Sequence, residues 1–124
     1  MRSLTLKKCK KCGALIKVVN DCTCDDCKIK CCNEKMYTLA LNDKDASFEK
    51  HIPTYEIKEG KLIVTVNHVM DIDHYIEWIC LLNDEVEEYR YFKPGDVSSA
   101  TFNSTKGTLY SYCNKHGLWK NNIK

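Results

Sequence analysis

Nine cysteines in 124 residues constrain this chain more than any other feature, and seven of them fall between Cys9 and Cys32. The other two, Cys80 and Cys113, stand alone. The chain opens Met1-Arg2-Ser3-Leu4-Thr5-Leu6-Lys7-Lys8, which lacks the apolar core of a secretory signal. That opening and the odd cysteine count argue against a disulfide framework and lead us to expect a cytoplasmic protein. Crowded thiols in a reducing compartment point to metal. Residues 1–41 carry few apolar side chains, chiefly Leu15, Ile16, Val18, Val19, Met36, Leu39 and Leu41. A piece that small cannot bury enough surface to fold unaided, and metal ligation supplies the missing free energy.

Cys9-Lys10-Lys11-Cys12-Gly13 reads as a metal knuckle. Two thiolates at i and i+3 grip one ion while the N–H groups of the turn face sulfur, and Gly13 suits the positive φ such a turn needs. Two pairs compete to close the tetrahedron: the adjacent Cys31-Cys32, or Cys24 and Cys27, whose spacing to the first pair is that of a zinc ribbon. Spacing alone slightly favours the second pair. Four thiolates suit zinc or iron, so a single four-coordinate ion leaves at least three of the seven cysteines over.

The texture changes after Asn42-Asp43-Lys44-Asp45-Ala46-Ser47, a polar linker that divides residues 1–41 from 42–124. Thr54–Lys58 alternates, with Tyr55 and Ile57 on one face; Glu59-Gly60 turns the chain; Leu62, Val64 and Val66 line one side of the next run. Tyr75–Leu82 is apolar on both faces except at Glu77, and Cys80 within it reads as a small core residue. Val86–Phe92, Ala100–Asn103 and Thr108–Cys113 follow, with Lys93-Pro94-Gly95-Asp96 and Gly107 as breaks. Short strands at this regular spacing, with no long 3.6-residue periodicity, predict an all-β sandwich. The net charge of +2 leaves no excess cation for a nucleic-acid partner. No apolar run approaches the ~18 residues of a membrane helix.

All four histidines, His51, His68, His74 and His116, lie in this second part, at predicted strand edges and in loops. His116 follows Cys113 by three residues, a chelating spacing. If all five side chains meet one ion, the donors are four nitrogens and a sulfur. Zinc normally stops at four ligands, so five donors with an open sixth position suit a redox iron better. Four neutral imidazoles and one thiolate leave a ferrous site at +1, which attracts an anion; Lys50, beside His51, adds to that field if it points at the open position.

At this point Glu49-Lys50-His51-Ile52-Pro53, Asn67-His68-Val69-Met70, His74-Tyr75-Ile76-Glu77-Trp78, Phe92-Lys93-Pro94-Gly95 and Tyr112-Cys113-Asn114-Lys115-His116-Gly117 resemble the desulfoferrodoxin family of two-domain superoxide reductases across essentially all of 48–120. The N-terminal part resembles that family's desulforedoxin-like domain, a C-x2-C-G followed by an adjacent Cys pair. The resemblance implies an immunoglobulin-like, seven-stranded β-sandwich behind a small desulforedoxin-like metal domain. It implies iron held by His51, His68, His74 and His116 in a plane with Cys113 axial. It also implies one-electron reduction of superoxide to hydrogen peroxide, without the dioxygen release of a dismutase. Lys50 would draw superoxide in and help protonate the product, and Glu49 matches the carboxylate that closes the vacant position in the oxidised resting state. A rubredoxin-type donor, a homodimer and a cytosolic setting complete the implied picture. For the second metal, iron or zinc, the resemblance selects Cys9, Cys12, Cys31 and Cys32.

The sequence departs from the family pattern in three places. Val69 stands where proline usually follows the second histidine, and Asn33 replaces the glycine after Cys31-Cys32; Asn tolerates the left-handed region better than other non-glycine residues. The largest departure is an insertion carrying Cys22, Cys24 and Cys27. Two other classes of function compete: a zinc-ribbon and immunoglobulin-like binding module, and a rubredoxin-like electron carrier using only the N-terminal metal.

Overall fold

The computed structural model describes residues 2–44 and 50–124, so the linker residues Asp45, Ala46 and Ser47, and Glu49, lie outside the described residues. The chain divides into two compact units, Ser3–Ala40 and Arg2 with Leu41–Lys124. Arg2 belongs to the second because its guanidinium donates to the carbonyls of Asn83 and Val86 at 2.7–3.1 Å.

The first unit is built from β1 (Leu6–Lys8), β2 (Leu15–Lys17), β3 (Lys30–Cys31), β4 (Glu34–Lys35) and β5 (Tyr37–Thr38). These form a small antiparallel sheet ordered β2-β1-β5 and a separate β3-β4 hairpin. Two turns matter. Between β1 and β2, Gly13 takes φ 78° and donates its N–H to the Cys9 carbonyl at 3.1 Å, the turn expected of the knuckle. Between β3 and β4, Cys31 pairs with Glu34, leaving Cys32 (φ 52°) and Asn33 (φ 67°) as a two-residue loop with both residues left-handed. That is the hairpin turn whose twist matches its strands, and Asn33 takes the left-handed position as expected of an asparagine there.

The second unit contains β6 (Leu41–Asn42), β7 (Thr54–Lys58), β8 (Lys61–Thr65), β9 (Ile76–Leu82), β10 (Glu87–Tyr91), β11 (Ser99–Phe102), β12 (Thr108–Cys113) and β13 (Gly117–Asn122). The seven strands β7–β13 make a β-sandwich, and among the described residues there is no helix. One sheet is ordered β10-β9-β12-β13-β6 and the other β11-β8-β7. Leu62, Val64 and Val66 alternate inward from β8 and its extension, meeting Ile76, Ile79, Leu81, Phe102, Leu109 and Cys113 in one buried cluster. β7 is an edge strand: Tyr55 packs on this core, but Ile57, near the strand's end, is 52% exposed, so the alternation there marks a strand without burying both of its apolar residues. Two elements of this unit went unpredicted. β13 reads Gly-Leu-Trp-Lys-Asn-Asn, weakly patterned, and β6 pairs with it in parallel at the start of the predicted linker.

A β-bulge decides what reaches the end of the sandwich. β12 and β9 run in register from Thr108↔Leu82 to Tyr112↔Trp78, then slip so that Cys113 faces Ile76. The extra residue on β9 changes its parity, so Ile76 faces the same core as Ile79 and Leu81. Cys113, on the same face of β12 as Leu109, ends that strand pointing inward, fully buried, at the end where β8 stops and β9 and β13 begin.

Candidate metal centres

Connecting segments at that end bring four imidazoles to Cys113. His51 precedes β7, His68 follows β8, His74 precedes β9, and His116 sits in the turn from β12 to β13. One donor atom from each of His51, His68, His74, Cys113 and His116 lies within 4.8 Å of all the others. The rings form a closed square: centroids are 4.8 Å apart for His51–His68, 4.7 Å for His68–His74, 5.0 Å for His74–His116 and 5.0 Å for His116–His51. His51–His74 and His68–His116 are its diagonals. The sulfur of Cys113 sits 3.7 Å from His68 Nε2 and 3.8 Å from His116 Nδ1, and His51 Nε2 is 3.1 Å from His116 Nδ1.

This donor set fits one transition-metal ion. Imidazole nitrogens bind such ions at about 2.1 Å and thiolates at about 2.3 Å, so neighbouring nitrogens around a square should be ~3 Å apart and opposite ones ~4.2 Å. The 3.1 Å between His51 Nε2 and His116 Nδ1 matches such an edge, and all five donors lie within 4.8 Å of one another. Four imidazoles and one sulfur offer five donors, one fewer than an octahedral ion takes.

The surrounding residues hold the rings in place. His68 Nδ1 lies 2.6 Å from the Val69 carbonyl. A carbonyl only accepts, so Nδ1 carries the proton and Nε2 keeps its lone pair for a metal. Trp119 lies flat on His51 at 4.3 Å and 9°, and its Nε1–H donates to the His116 carbonyl at 3.0 Å, so one indole braces two corners of the square. The buried Ser111 hydroxyl donates to the His51 carbonyl. Asn114, inside the Cys-x2-His turn, spans to the His74 segment: its Oδ1 accepts from Tyr75 N–H at 3.0 Å and its Nδ2 donates to the Asp73 carbonyl at 2.9 Å. Gly95 N–H donates to the Met70 carbonyl at 2.8 Å, tying the Pro94-Gly95 turn to the His68 segment. Sequence reasoning assigned no role to Trp119, Ser111 or Asn114. Only Asn114 carried a signal, its place between two predicted ligands. Lys50 is exposed and adjoins the buried His51 in the chain.

The first unit gathers four sulfurs. Cys9, Cys12, Cys31 and Cys32 lie within 4.8 Å of one another, which brings together the set selected by family resemblance and not the Cys24/Cys27 pair favoured by spacing. Cys12 and Cys31 sulfurs are 3.6 Å apart, Cys31 and Cys32 sulfurs 4.0 Å. A tetrahedron with ~2.3 Å metal–sulfur bonds has edges of about 3.8 Å. The Cys12 backbone N–H, opposed by burial and aided by that of Lys11, brings the Cys9 thiol down to about 7. Hydrogen bonding to the Cys12 and then the Cys9 sulfur pushes Cys31 up to about 12, and contact with Cys12 raises Cys32. Thiols crowded this closely cannot all ionise without a cation among them.

Comparison with known proteins identifies the family and the fold. The desulfoferrodoxin family model matches residues 43–122. A desulfoferrodoxin of Desulfarculus baarsii is 37% identical over 122 residues, covering 94% of each chain. A superoxide reductase of Thermococcus kodakarensis is 32% identical over 112 residues, covering 71% of this chain and 97% of its own. The fold is similar to the crystal structure of the superoxide reductase from Treponema pallidum, with a TM-score of 0.78 at 23% identity, over 98% of this chain and 100% of that one.

Proposed function

Since the chain belongs to the desulfoferrodoxin family, we propose that it is a superoxide reductase, reducing superoxide by one electron to hydrogen peroxide at iron held by His51, His68, His74, His116 and Cys113. The observation that carries the reading is the square of four imidazoles with one buried sulfur beside it, one donor short of an octahedral set. Iron there supplies the electron, cycling between its ferrous and ferric states. The balance is one superoxide, one electron and two protons to one hydrogen peroxide.

The chain's own groups do the rest. Four neutral rings and one thiolate around a divalent ion sum to +1, a field that favours a small anion over neutral dioxygen. Lys50 adds a second positive charge near the mouth and raises the encounter rate, while water delivers the protons. Cys113 would hold the iron through a thiolate, whose electron donation would tune the metal's reactivity. Cys9, Cys12, Cys31 and Cys32 hold a second ion, iron or zinc. The carboxylate role of Glu49, the rubredoxin-type electron donor, the homodimer and the cytosolic setting rest on family resemblance.

The test is a pulse of superoxide on the reduced, iron-loaded chain, with hydrogen peroxide and dioxygen both measured. A reductase yields peroxide with no dioxygen, whereas equal dioxygen would mark a dismutase and overturn the reading. Cys113→Ser should abolish the thiolate-to-iron absorption and most of the activity while leaving the sandwich folded. Lys50→Ala should keep the iron, slow capture and flatten its dependence on ionic strength.

A further inference from the structure

Residues 18–29, between β2 and β3, form no regular hydrogen-bonded structure. Val18 and Cys27 are half-buried there, and the other side chains are exposed. A loop this long with no fully buried side chain is uncommon in a compact unit and normally has a function or a tether. Within it, the Asp21 carboxylate and the sulfurs of Cys22 and Cys27 lie within 4.8 Å of one another. The Cys24 sulfur lies outside that group of three but interacts with Cys22, and its thiol donates to the Asp26 carbonyl at 3.5 Å. The Asp21 carboxylate is oriented by the Cys22 backbone N–H, which donates to Oδ1 at 2.8 Å.

We propose that this loop is a third metal site, in which the thiolates of Cys22, Cys24 and Cys27 and the carboxylate of Asp21 hold one thiophilic, redox-inert cation of the zinc class. Three sulfurs and an oxygen complete the tetrahedron such an ion takes in structural sites. The Cys24 thiol gives up its bond to the Asp26 carbonyl when it ionises, because a thiolate cannot donate. Binding releases thiol protons to solvent and needs no oxidant or reductant. Three thiolates and a carboxylate around a divalent ion leave a net charge of −2. Lys35, which is ion-paired to Asp26 and also feels the Cys27 and Cys22 sulfurs, partly offsets it. Without a cation the thiols oppose one another's ionisation: contact with Cys27 first, then burial and Cys24, push Cys22 up to about 12. The ion substitutes for the core the loop lacks.

The experiment uses the full chain, reduced under argon and loaded with iron at the histidine and four-cysteine centres, then titrated with Zn2+ against a chromophoric chelator. A third equivalent should bind while both iron absorption bands persist, and the number of thiols open to iodoacetamide should fall by three. Cys22→Ser with Cys27→Ser should lose that equivalent and keep both iron bands. The proposal is overturned if the unsubstituted chain takes up no zinc without losing iron, or if its alkylation pattern is unchanged by zinc. It is equally overturned if the double variant still binds the third equivalent. The alkylation count is read on the unsubstituted chain, so a poorly folding variant cannot mask the result.

Discussion

Replacing Asn114 by alanine removes a side chain that bridges the Cys113–His116 turn and the segment presenting His74, and its cost follows from its two hydrogen bonds. The bond from Tyr75 N–H, at 3.0 Å and half-buried, sits near the upper end of the ordinary net range, about 1.5 kcal/mol, since alanine leaves that N–H poorly satisfied. The bond to the Asp73 carbonyl, at 2.9 Å but exposed to water, is worth about 0.5 kcal/mol. The sum, about 2 kcal/mol, is divided between folding of the metal-free chain and binding of the metal, because the same bonds shape the fold and preset His74. Only the total is fixed by the thermodynamic cycle. It corresponds to about a 30-fold change if it fell wholly on metal affinity. Both tryptophans, Trp78 and Trp119, lie in the second unit, so fluorescence during urea unfolding reports that unit alone. Chelator competition gives the metal share. Asn114→Asp keeps an acceptor for Tyr75 N–H and loses only the exposed bond, so its summed loss should be about 0.5 kcal/mol. A summed loss for Asn114→Ala below about 0.5 kcal/mol, or an aspartate variant as damaged as the alanine one, would refute the view that Asn114 holds His74 in place.

Three further outcomes are expected. Gly107→Ala should destabilise the second unit by at least ~1–3 kcal/mol, because Gly107 has φ 128° and an added Cβ would lie 2.4 Å from the Leu82 carbonyl oxygen; thermal unfolding of the metal-free chain reads the loss. Metal affinity of the four-cysteine centre should rise with pH by at least about two log units per pH unit near neutrality, as Cys31 and Cys32 surrender their protons, and fall still more steeply below about 7 where Cys9 is also protonated; competition titrations between pH 6 and 8 measure the slope. Burial raises the Tyr89 phenol above its ordinary value near 10. The unfolded chain therefore loses that proton first, so stability is full below pH ~10 and declines above it; Tyr89→Phe should shallow that alkaline decline in urea unfolding.

Family membership and the all-β fold were legible because their signals are local. Alternation marks β8, with Leu62, Val64 and Val66 inward, whatever lies across from it. A Cys-x2-Cys-Gly or Cys-x2-His spacing is a chelate in any fold. β13 was not legible, since Gly-Leu-Trp-Lys-Asn-Asn has neither strict alternation nor β-branched residues and gains its strand state from six partners on β12. The choice between Cys31/Cys32 and Cys24/Cys27 was ambiguous by spacing. It turns on the two-residue hairpin at Cys32-Asn33, which folds that pair back to Cys9 and Cys12.

Composition and order of residues alone therefore determined that this chain carries metal donors in two groups and a sandwich-forming remainder, because donor chemistry and strand periodicity are properties of neighbouring residues. Tertiary structure alone decided that His51 neighbours His68 and His116 around the square, that a one-residue bulge on β9 turns Ile76 to the core beside Cys113, and that Trp119 and Asn114 brace the corners. Those relations join residues far apart in the chain, and only the packing of the two sheets sets the distances on which coordination depends.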